Sequence, residues 1–365
     1  MTPLEAETAR LAVLFRAAGA DPVAPSVLQP AGTLLDLYGE DIRARAYTTR
    51  DPARGELMLR PDFTVPVIEH HLATGRAAGR YTYSGPVFRM QEAPEPRPSE
   101  FPQAGIECFG TGAAAAARTE AEVIALIAGA LDMPGLVLAM GDTGLLTAAV
   151  AGLSTSDRRK AALARHVWRP GRFRRLLDRY GRQAPPAAHA PLLARMESTP
   201  PEALIAAAGP TIGRRTTAEI AARAAWLRAD CAATPIPAAE RAALDALLGL
   251  AAPAPAAVAA LRRLAAALPG LGPATDRLAA RLDALAAAGL DPAEIRFEAA
   301  FGRTTLEYYD GVVFGAFRPG DTGPPVASGG RYDALCRALG AAPGTWGVGA
   351  VIRPADLLRL RGAVP

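Results

Sequence analysis

"RYTYSGPVFRMQEAPEPRPSEFPQAGIECFG", residues 80–110, is the stretch on which the fold turns. It opens with alternating β-formers around Arg80–Met90 and closes with a second apolar run, "AGIECFG". Alternation rich in aromatic and β-branched residues predicts a half-buried strand at each end. Between them Pro94, Pro96, Pro98 and Pro102 withdraw the amide donors that a regular ladder needs. The simplest arrangement is an antiparallel hairpin with a long irregular tip, and long ordered tips usually carry function. Arg89 closes the first strand. Gln103 and Glu107 are four residues apart in the second, so both project from one face of it.

Working outward, "ELMLRPDFTVPVIEHHL" (residues 56–72) reads as a strand through Met58–Arg60, a turn at Pro61–Asp62 and a helix from about Thr64. Glu120–Ala130 is helical, and "GLVLAM" from Gly135 is a strand. The N-terminus forms an amphipathic helix with Leu4, Leu11, Leu14 and Phe15 on or near one face. It carries acids and lacks the basic start and apolar run of a signal peptide, so a cytoplasmic chain is expected. Residues 154–290 read as helix almost throughout, rich in Ala, Leu and Arg and punctuated by Pro170, Pro185, Pro200, Pro235, Pro253 and Pro269. Their mutual similarity is a matter of composition rather than of a solenoid repeat. From 291 to 365 the pattern returns to β, in "EIRFEAAF", "TTLEYYDGVVFGAF", "PVASGGRYDAL" and "TWGVGAVI". Two β-bearing segments, 1–153 and 291–365, therefore flank a helical insertion, 154–290, and their strands should meet in one sheet. The absence of strict βαβ alternation argues for an α+β fold with an antiparallel sheet flanked by helices.

Composition sets the remaining bounds. Half of the 365 residues are hydrophobic and 21% are charged, enough for a substantial core and too apolar for a disordered chain. A net charge of +4, from 40 Lys+Arg against 36 Asp+Glu, does not by itself argue for nucleic acid. Basic runs such as "DRRKAALARH" read first as solvated helix faces. Cys108, Cys231 and Cys336 are sparse and odd in number, which fits a reducing compartment rather than a disulfide framework. His70, His71, His166 and His189 show no zinc-binding spacing, and no metal or cofactor is expected. The Ala-rich stretches near 249–270 are broken by Pro and Arg, so none is a candidate membrane span.

Chemistry gathers around the hairpin. A guanidinium at Arg89 offers a rigid fork for a carboxylate or phosphate. Asp62 and Thr64 stand at a strand-to-helix turn, Tyr308 and Tyr309 in a later strand, and Tyr332 just after a Gly-Gly pair. Together they can hold a zwitterionic amino acid, with Arg89 on its carboxylate and Asp62, Thr64 and Gln103 on its ammonium. Glu107 and a tyrosine hydroxyl remain for a polar side chain. An imidazole suits that pair, because one ring nitrogen donates while the other accepts. Taken singly, each residue also fits a structural role, with Arg89 and Glu107 as an ion pair across the hairpin and the tyrosines as ordinary strand residues. "GVGAV" lacks the third glycine of a dinucleotide fingerprint and is not followed by an obvious helix start.

Five ordered motifs carry a resemblance: "LRPDFT" (59–64), "YSGPVFR" (83–89), "FPQAGIECFG" (101–110), "YYDGVVF" (308–314) and "GGRYDAL" (329–335). In order and spacing they resemble the catalytic domain of histidyl-tRNA synthetases. The resemblance implies the class II aminoacyl-tRNA synthetase fold, usually dimeric, with the segments before 154 and after 290 as two parts of one domain. It also implies that Asp62 (a glutamate there), Thr64, Arg89, Gln103, Glu107 and Tyr309 hold histidine, and that Tyr332 lines the imidazole pocket.

The departures concern catalysis. Where the family's second motif has a glutamate on adenine, this chain has Gln91; Pro98 and Ser99 replace other polar or basic loop positions, while Arg97 keeps one cation. Thr304 stands in place of an activating arginine, with Arg303 one residue away, and one step along a strand turns a side chain to the other face. In the third motif Arg353 and Pro354 replace Glu-Arg, and no anticodon-binding domain is expected after it. Adenylate formation needs cations aimed at developing phosphate charge. A retained amino-acid pocket beside weakened ATP contacts resembles the regulatory subunits of ATP phosphoribosyltransferase. That resemblance implies a non-catalytic, histidine-sensing partner of the short-form catalytic subunit, self-dimeric within a hetero-oligomer, acting at the first step of histidine biosynthesis. A working synthetase, or a free-standing histidine- or tRNA-binding module, is the alternative.

Overall fold

The computed structural model describes residues 1–32, 44–91, 98–182, 188–210, 212–302, 308–318, 320 and 323–362. In chain order its strands are β1 (Asp21–Pro22), β2 (Leu28–Pro30), β3 (Thr48–Asp51), β4 (Gly55–Leu59), β5 (Gly79–Phe88) and β6 (Glu100–Thr111). There follow β7 (Val137–Asp142), β8 (Ala251–Pro253), β9 (Arg296–Glu298), β10 (Val312–Phe317), β11 (Ala327–Arg331) and β12 (Thr345–Ile352).

The 80–110 stretch forms the expected hairpin, with β5 and β6 antiparallel from Gly79↔Phe109 to Phe88↔Glu100. Pro102, expected in the tip, lies inside β6 opposite Pro86. Both are tolerated because each strand lacks a second ladder there. The far neighbour of β6 joins only at Ala104, and β1 reaches β5 only at Tyr81 and Thr82. Pro94 and Pro96 lie outside the described residues.

Strands from both ends of the chain do share one sheet, in the order β1-β5-β6-β12-β11-β10-β7-β9-β8. Its centre is antiparallel as expected, while β1–β5 and β7–β9 are parallel. β8, in a segment read as almost all helix, pairs with β9 at the sheet edge. A smaller sheet, β2-β4-β3, carries the strand expected at Met58–Arg60. Helices at Pro3–Ala17 and Thr64–Thr74 match their sequence patterns, and the one expected over Glu120–Ala130 starts earlier, running Ala113–Leu131. Another, Pro354–Leu360, follows β12 directly, its proline at the first helical position, where a missing N–H costs nothing.

Side-chain alternation splits the main sheet into two unlike faces. On one, Ile106 and Cys108 of β6, Val348 and Ala350 of β12 and Phe314 of β10 join a large aliphatic core. That core includes Leu11 and Phe15 of the first helix, Ile124 and Ile127 of the Ala113–Leu131 helix, and Leu278 and Leu285 of the Leu271–Ala287 helix. On the other face Tyr81, Tyr83 and Phe109 pack under Val65, Val67 and Ile68 of the Thr64–Thr74 helix, with Tyr309 and Tyr332 beside them. This second face is floored by glycine. In the ladders Gly105 is opposite Tyr83, Gly349 is opposite Glu107, and Gly330 is opposite Gly349. One sheet face is filled with branched aliphatics and the other hollowed by glycine, so a site is set on the hollow side.

Candidate functional site

Glu107 is the centre of that hollow, 2% exposed and held by hydroxyls from three separate segments. Thr64 Oγ1 donates to its Oε1 at 3.2 Å, and the Tyr83 hydroxyl donates to the same oxygen at 3.0 Å. The Tyr332 hydroxyl donates to Oε2. A carboxylate has room for about four donors, so one position remains for a ligand N–H. Gly349 makes the arrangement possible, since a Cβ there would overlap Glu107 Oε2. Gly347 does the same for the Tyr332 ring. Burial pushes the Glu107 carboxyl up to about 7. The three hydroxyl donors pull against that rise, and the Asp62 charge adds to it. Burial also raises Tyr83, Tyr309 and Tyr332, so all three are hydroxyl donors across the physiological range.

Asp62 and Arg89 stand together beside this core. Asp62 Oδ1 accepts from the Thr64 amide at 3.1 Å, an Asx turn that starts the Thr64–Thr74 helix and fixes where the Thr64 hydroxyl points. Arg89 Nε donates to the Pro61 carbonyl at 2.8 Å, and its Nη2 lies 3.7 Å from Asp62 Oδ2. Arg89 therefore pairs with Asp62, and the alternative of an Arg89–Glu107 bridge across the hairpin is not what forms. Arg89 also falls one residue beyond β5, which stops at Phe88 rather than Met90. The 3.7 Å separation is loose for a carboxylate–guanidinium pair. An ammonium on Asp62 and a carboxylate on Arg89 would both fit such an opened pair.

Tyr308 and Tyr309 do not lie in a strand. They precede β10, which begins only at Val312, after a bend at Gly311. Their hydroxyls are 3.2 Å apart, and the Tyr309 and Tyr332 ring centres are 6.2 Å apart. Asp310 ties the two tyrosine motifs together: its carboxylate accepts the amides of Asp333 at 2.9 Å and Ala334 at 2.7 Å, capping the helix that follows Tyr332. Gln103 is buried on the Glu107 face, opposite Gly85 in the ladder.

Asp62, Thr64, Arg89, Glu107, Tyr309 and Tyr332 are thus gathered within one neighbourhood, with Gln103 on the same wall. Sequence reasoning missed Tyr83, whose ring stacks on Phe63 with centres 4.2 Å apart. In an antiparallel hairpin the residue opposite Gly105 shares a face with Glu107, and the register seen in the structure makes that residue Tyr83. Gln91, at the position of an adenine-binding glutamate, is used locally. Its Nε2 donates to the carbonyls of Arg89 at 3.2 Å and Pro98 at 3.3 Å, and its Oε1 accepts from Arg45 at 3.3 Å. Arg97, Arg303 and Thr304 lie outside the described residues.

The family model described as "Histidyl-tRNA synthetase" matches residues 2–223 and 202–354. The ATP phosphoribosyltransferase regulatory subunit of Mesorhizobium japonicum is 34% identical over 378 residues, covering 98% of this chain and 98% of that protein. A protein of the same name from Agrobacterium fabrum is 34% identical over 340 residues, or 90% and 89% of the two chains. Among solved structures, an ATP phosphoribosyltransferase regulatory subunit/histidyl-tRNA synthetase from Bacillus halodurans aligns with a TM-score of 0.67. The alignment covers 98% of this chain and 78% of that one, at 19% identity. Histidyl-tRNA synthetase from a Nostoc species aligns with a TM-score of 0.62 over 100% and 74% of the two chains, at 15% identity. At such identities these structures speak for the fold, which is the class II synthetase-like α+β sheet flanked by helices.

Proposed function

The chain belongs to the family of ATP phosphoribosyltransferase regulatory subunits, with the histidyl-tRNA synthetase fold, and from that footing we propose its role. It is a non-catalytic regulatory subunit, needed by the short-form catalytic subunit for the first step of histidine biosynthesis, and it binds L-histidine as the feedback signal. The observation that carries the ligand assignment is the Glu107 carboxylate in its cradle of Thr64, Tyr83 and Tyr332 hydroxyls. An imidazole N–H would donate to Glu107, with Tyr309 beside the ring. The ligand ammonium would sit on Asp62 with Gln103 near it, and the ligand carboxylate would sit on Arg89. Each charge of the zwitterion then meets its opposite, which favours histidine over an uncharged imidazole.

Feedback requires that histidine bind two activity states unequally. A self-dimer joined to catalytic subunits gives such states an interface on which to differ. The test is phosphoribosyl transfer by the short-form catalytic subunit, with and without this chain, across histidine concentrations. Activity that needs this chain and falls with histidine is expected. Activity indifferent to the chain would overturn the regulatory reading. Activity that needs the chain but ignores histidine would overturn the ligand assignment alone.

A further inference from the structure

Beyond its apolar packing, the segment 154–290 is tied to the sheet by buried charge. Arg281 lies in its last helix, Leu271–Ala287, and is 5% exposed. Its Nε donates to Glu120 Oε2 at 2.6 Å, and its Nη1 donates to Asp142 Oδ2 at 3.0 Å. Glu120, on the Ala113–Leu131 helix, accepts a second guanidinium at its other oxygen, from Arg331 Nη1 at 3.0 Å. Arg331 also holds Asp333, with Nη2 2.7 Å from Oδ2. Three carboxylates thus meet two guanidiniums. Oδ1 of Asp142 and of Asp333 also accept amides, from Gly144 at 2.9 Å and Gly347 at 3.2 Å. Asp310 and Arg337, 3.9 Å apart, flank the cluster at the Asp333 end.

The cluster reaches the Glu107 hollow at two points. Arg331 and Asp333 flank Tyr332, whose hydroxyl donates to Glu107. Asp142 caps the Thr143–Ala151 helix, and Thr143 Oγ1 donates to the Tyr309 carbonyl at 3.3 Å. The chain enters 154–290 from that helix and leaves it through Leu271–Ala287. Entry and exit meet backbone to backbone, since a Cβ at Gly270 would overlap the Ala148 carbonyl. They form one body, bonded to the segments that carry both tyrosines of the imidazole side. Burying ions adds little net stability, because desolvation offsets their attraction. Opening one link of such a cluster is costly, so the cluster admits few placements of its parts.

We propose that this buried charge cluster couples the hollow to the segment 154–290, so that a ligand against Tyr309 and Tyr332 resets the helices at both its roots. Arg281 and Arg331 act as positioning residues, each a fork shared between two carboxylates. A displacement of Tyr332 carries Arg331 with it, and Glu120 passes that displacement to Arg281. The signal of an occupied pocket then leaves through a contiguous chain of bonds rather than through loose apolar contact. The coupling rests on the proposed function only for the identity of the ligand as histidine.

A double-mutant cycle of Tyr332→Phe and Arg281→Lys, read by urea unfolding of the whole chain, tests the link without any ligand. Among the described residues the two side chains share no hydrogen-bond partner. Their effects on the unfolding constant should nonetheless depart from additivity by roughly fivefold or more. Asp142→Asn keeps an oxygen for the Gly144 amide and should repeat the result in place of Arg281→Lys. The control, Arg159→Lys, alters another buried arginine of the same segment, held by Asp230, and should add to Tyr332→Phe within about twofold. Hydrogen exchange then reads the link from the ligand side. Saturating L-histidine should slow exchange about threefold or more in residues 143–151 and 271–287 of the parent, and this response should be lost in Arg281→Lys. An additive cycle, equal departure in the control, or histidine bound by calorimetry with exchange in both helices unchanged would each overturn the coupling. Absence of histidine binding would overturn the ligand assignment alone, and the cycle then decides the coupling by itself.

Discussion

Replacing Glu107 by Gln should make the chain more stable relative to the parent at pH 8 than at pH 5 while costing it histidine. The buried carboxyl titrates near 7 in the folded chain and near its ordinary 4.5 when unfolded. Between those values the folded state holds a proton that the unfolded state has released. Stability therefore falls as pH rises from about 4.5 to about 7, and is level above that. Each unit of separation is about 1.4 kcal/mol, so the parent loses on the order of 2–3 kcal/mol between pH 5 and pH 8 through this one group. The glutamine side chain of the variant does not titrate and has no such slope. Urea unfolding of both chains at pH 5 and pH 8 singles out the group, because titrations not coupled to Glu107 cancel in the difference. Calorimetry with L-histidine at pH 8 should meanwhile show affinity weakened roughly tenfold to a hundredfold, as a charged hydrogen bond is exchanged for a neutral one. Equal pH dependence of stability in the two chains would refute the buried, raised carboxyl. Unchanged histidine affinity would refute its part in recognition.

The remaining expectations test the walls of the same hollow. Tyr309→Phe removes one hydroxyl and its 3.2 Å bond to Tyr308, so histidine should bind only about two- to tenfold more weakly by calorimetry, a smaller loss than at Glu107. Gly349→Ala drives a methyl into Glu107 Oε2. Overpacking of this kind costs about 1–3 kcal/mol, so circular dichroism should show a folded but less stable chain, and calorimetry no histidine binding.

Much of this architecture is legible in the residues themselves, because it is written locally. Alternation in 80–110 sets the hairpin, and the spacing of Gln103 and Glu107 sets their common face. The Pro61–Asp62 turn sets the start of the helix that delivers Thr64. What could not be read depends on register or on distant segments. Tyr83 joins Glu107 only once the offset between β5 and β6 is known, and a long proline-rich tip leaves that offset open. Tyr308 and Tyr309 look like strand residues because their β propensity is high, but Asp310 is spent capping a helix some twenty residues later, and the strand must wait. "GVGAV" is a weak nucleotide motif on paper; in the fold Gly349 is the floor under a carboxylate. The buried charge cluster is drawn from four stretches of chain, and no local pattern could assemble it.

Recognition and catalysis make different demands on such a site, which is why one can persist where the other has gone. Holding histidine requires groups complementary to the ligand as it stands: one carboxylate for the imidazole and an opened ion pair for the zwitterion. Activating it requires charge aimed at oxygens that become more negative in the transition state. In the proposed reading the Glu107 cradle serves the first demand, with hydroxyls fixed from three segments and a glycine floor. On the neighbouring side, Gln91 is consumed by its own loop, Pro354 starts a helix, and Arg353 is turned to a backbone carbonyl. Those substitutions leave every contact to Glu107 untouched, because they lie beyond Arg89. The two demands are separable at that residue, so that in the proposed reading the pocket holds histidine without activating it.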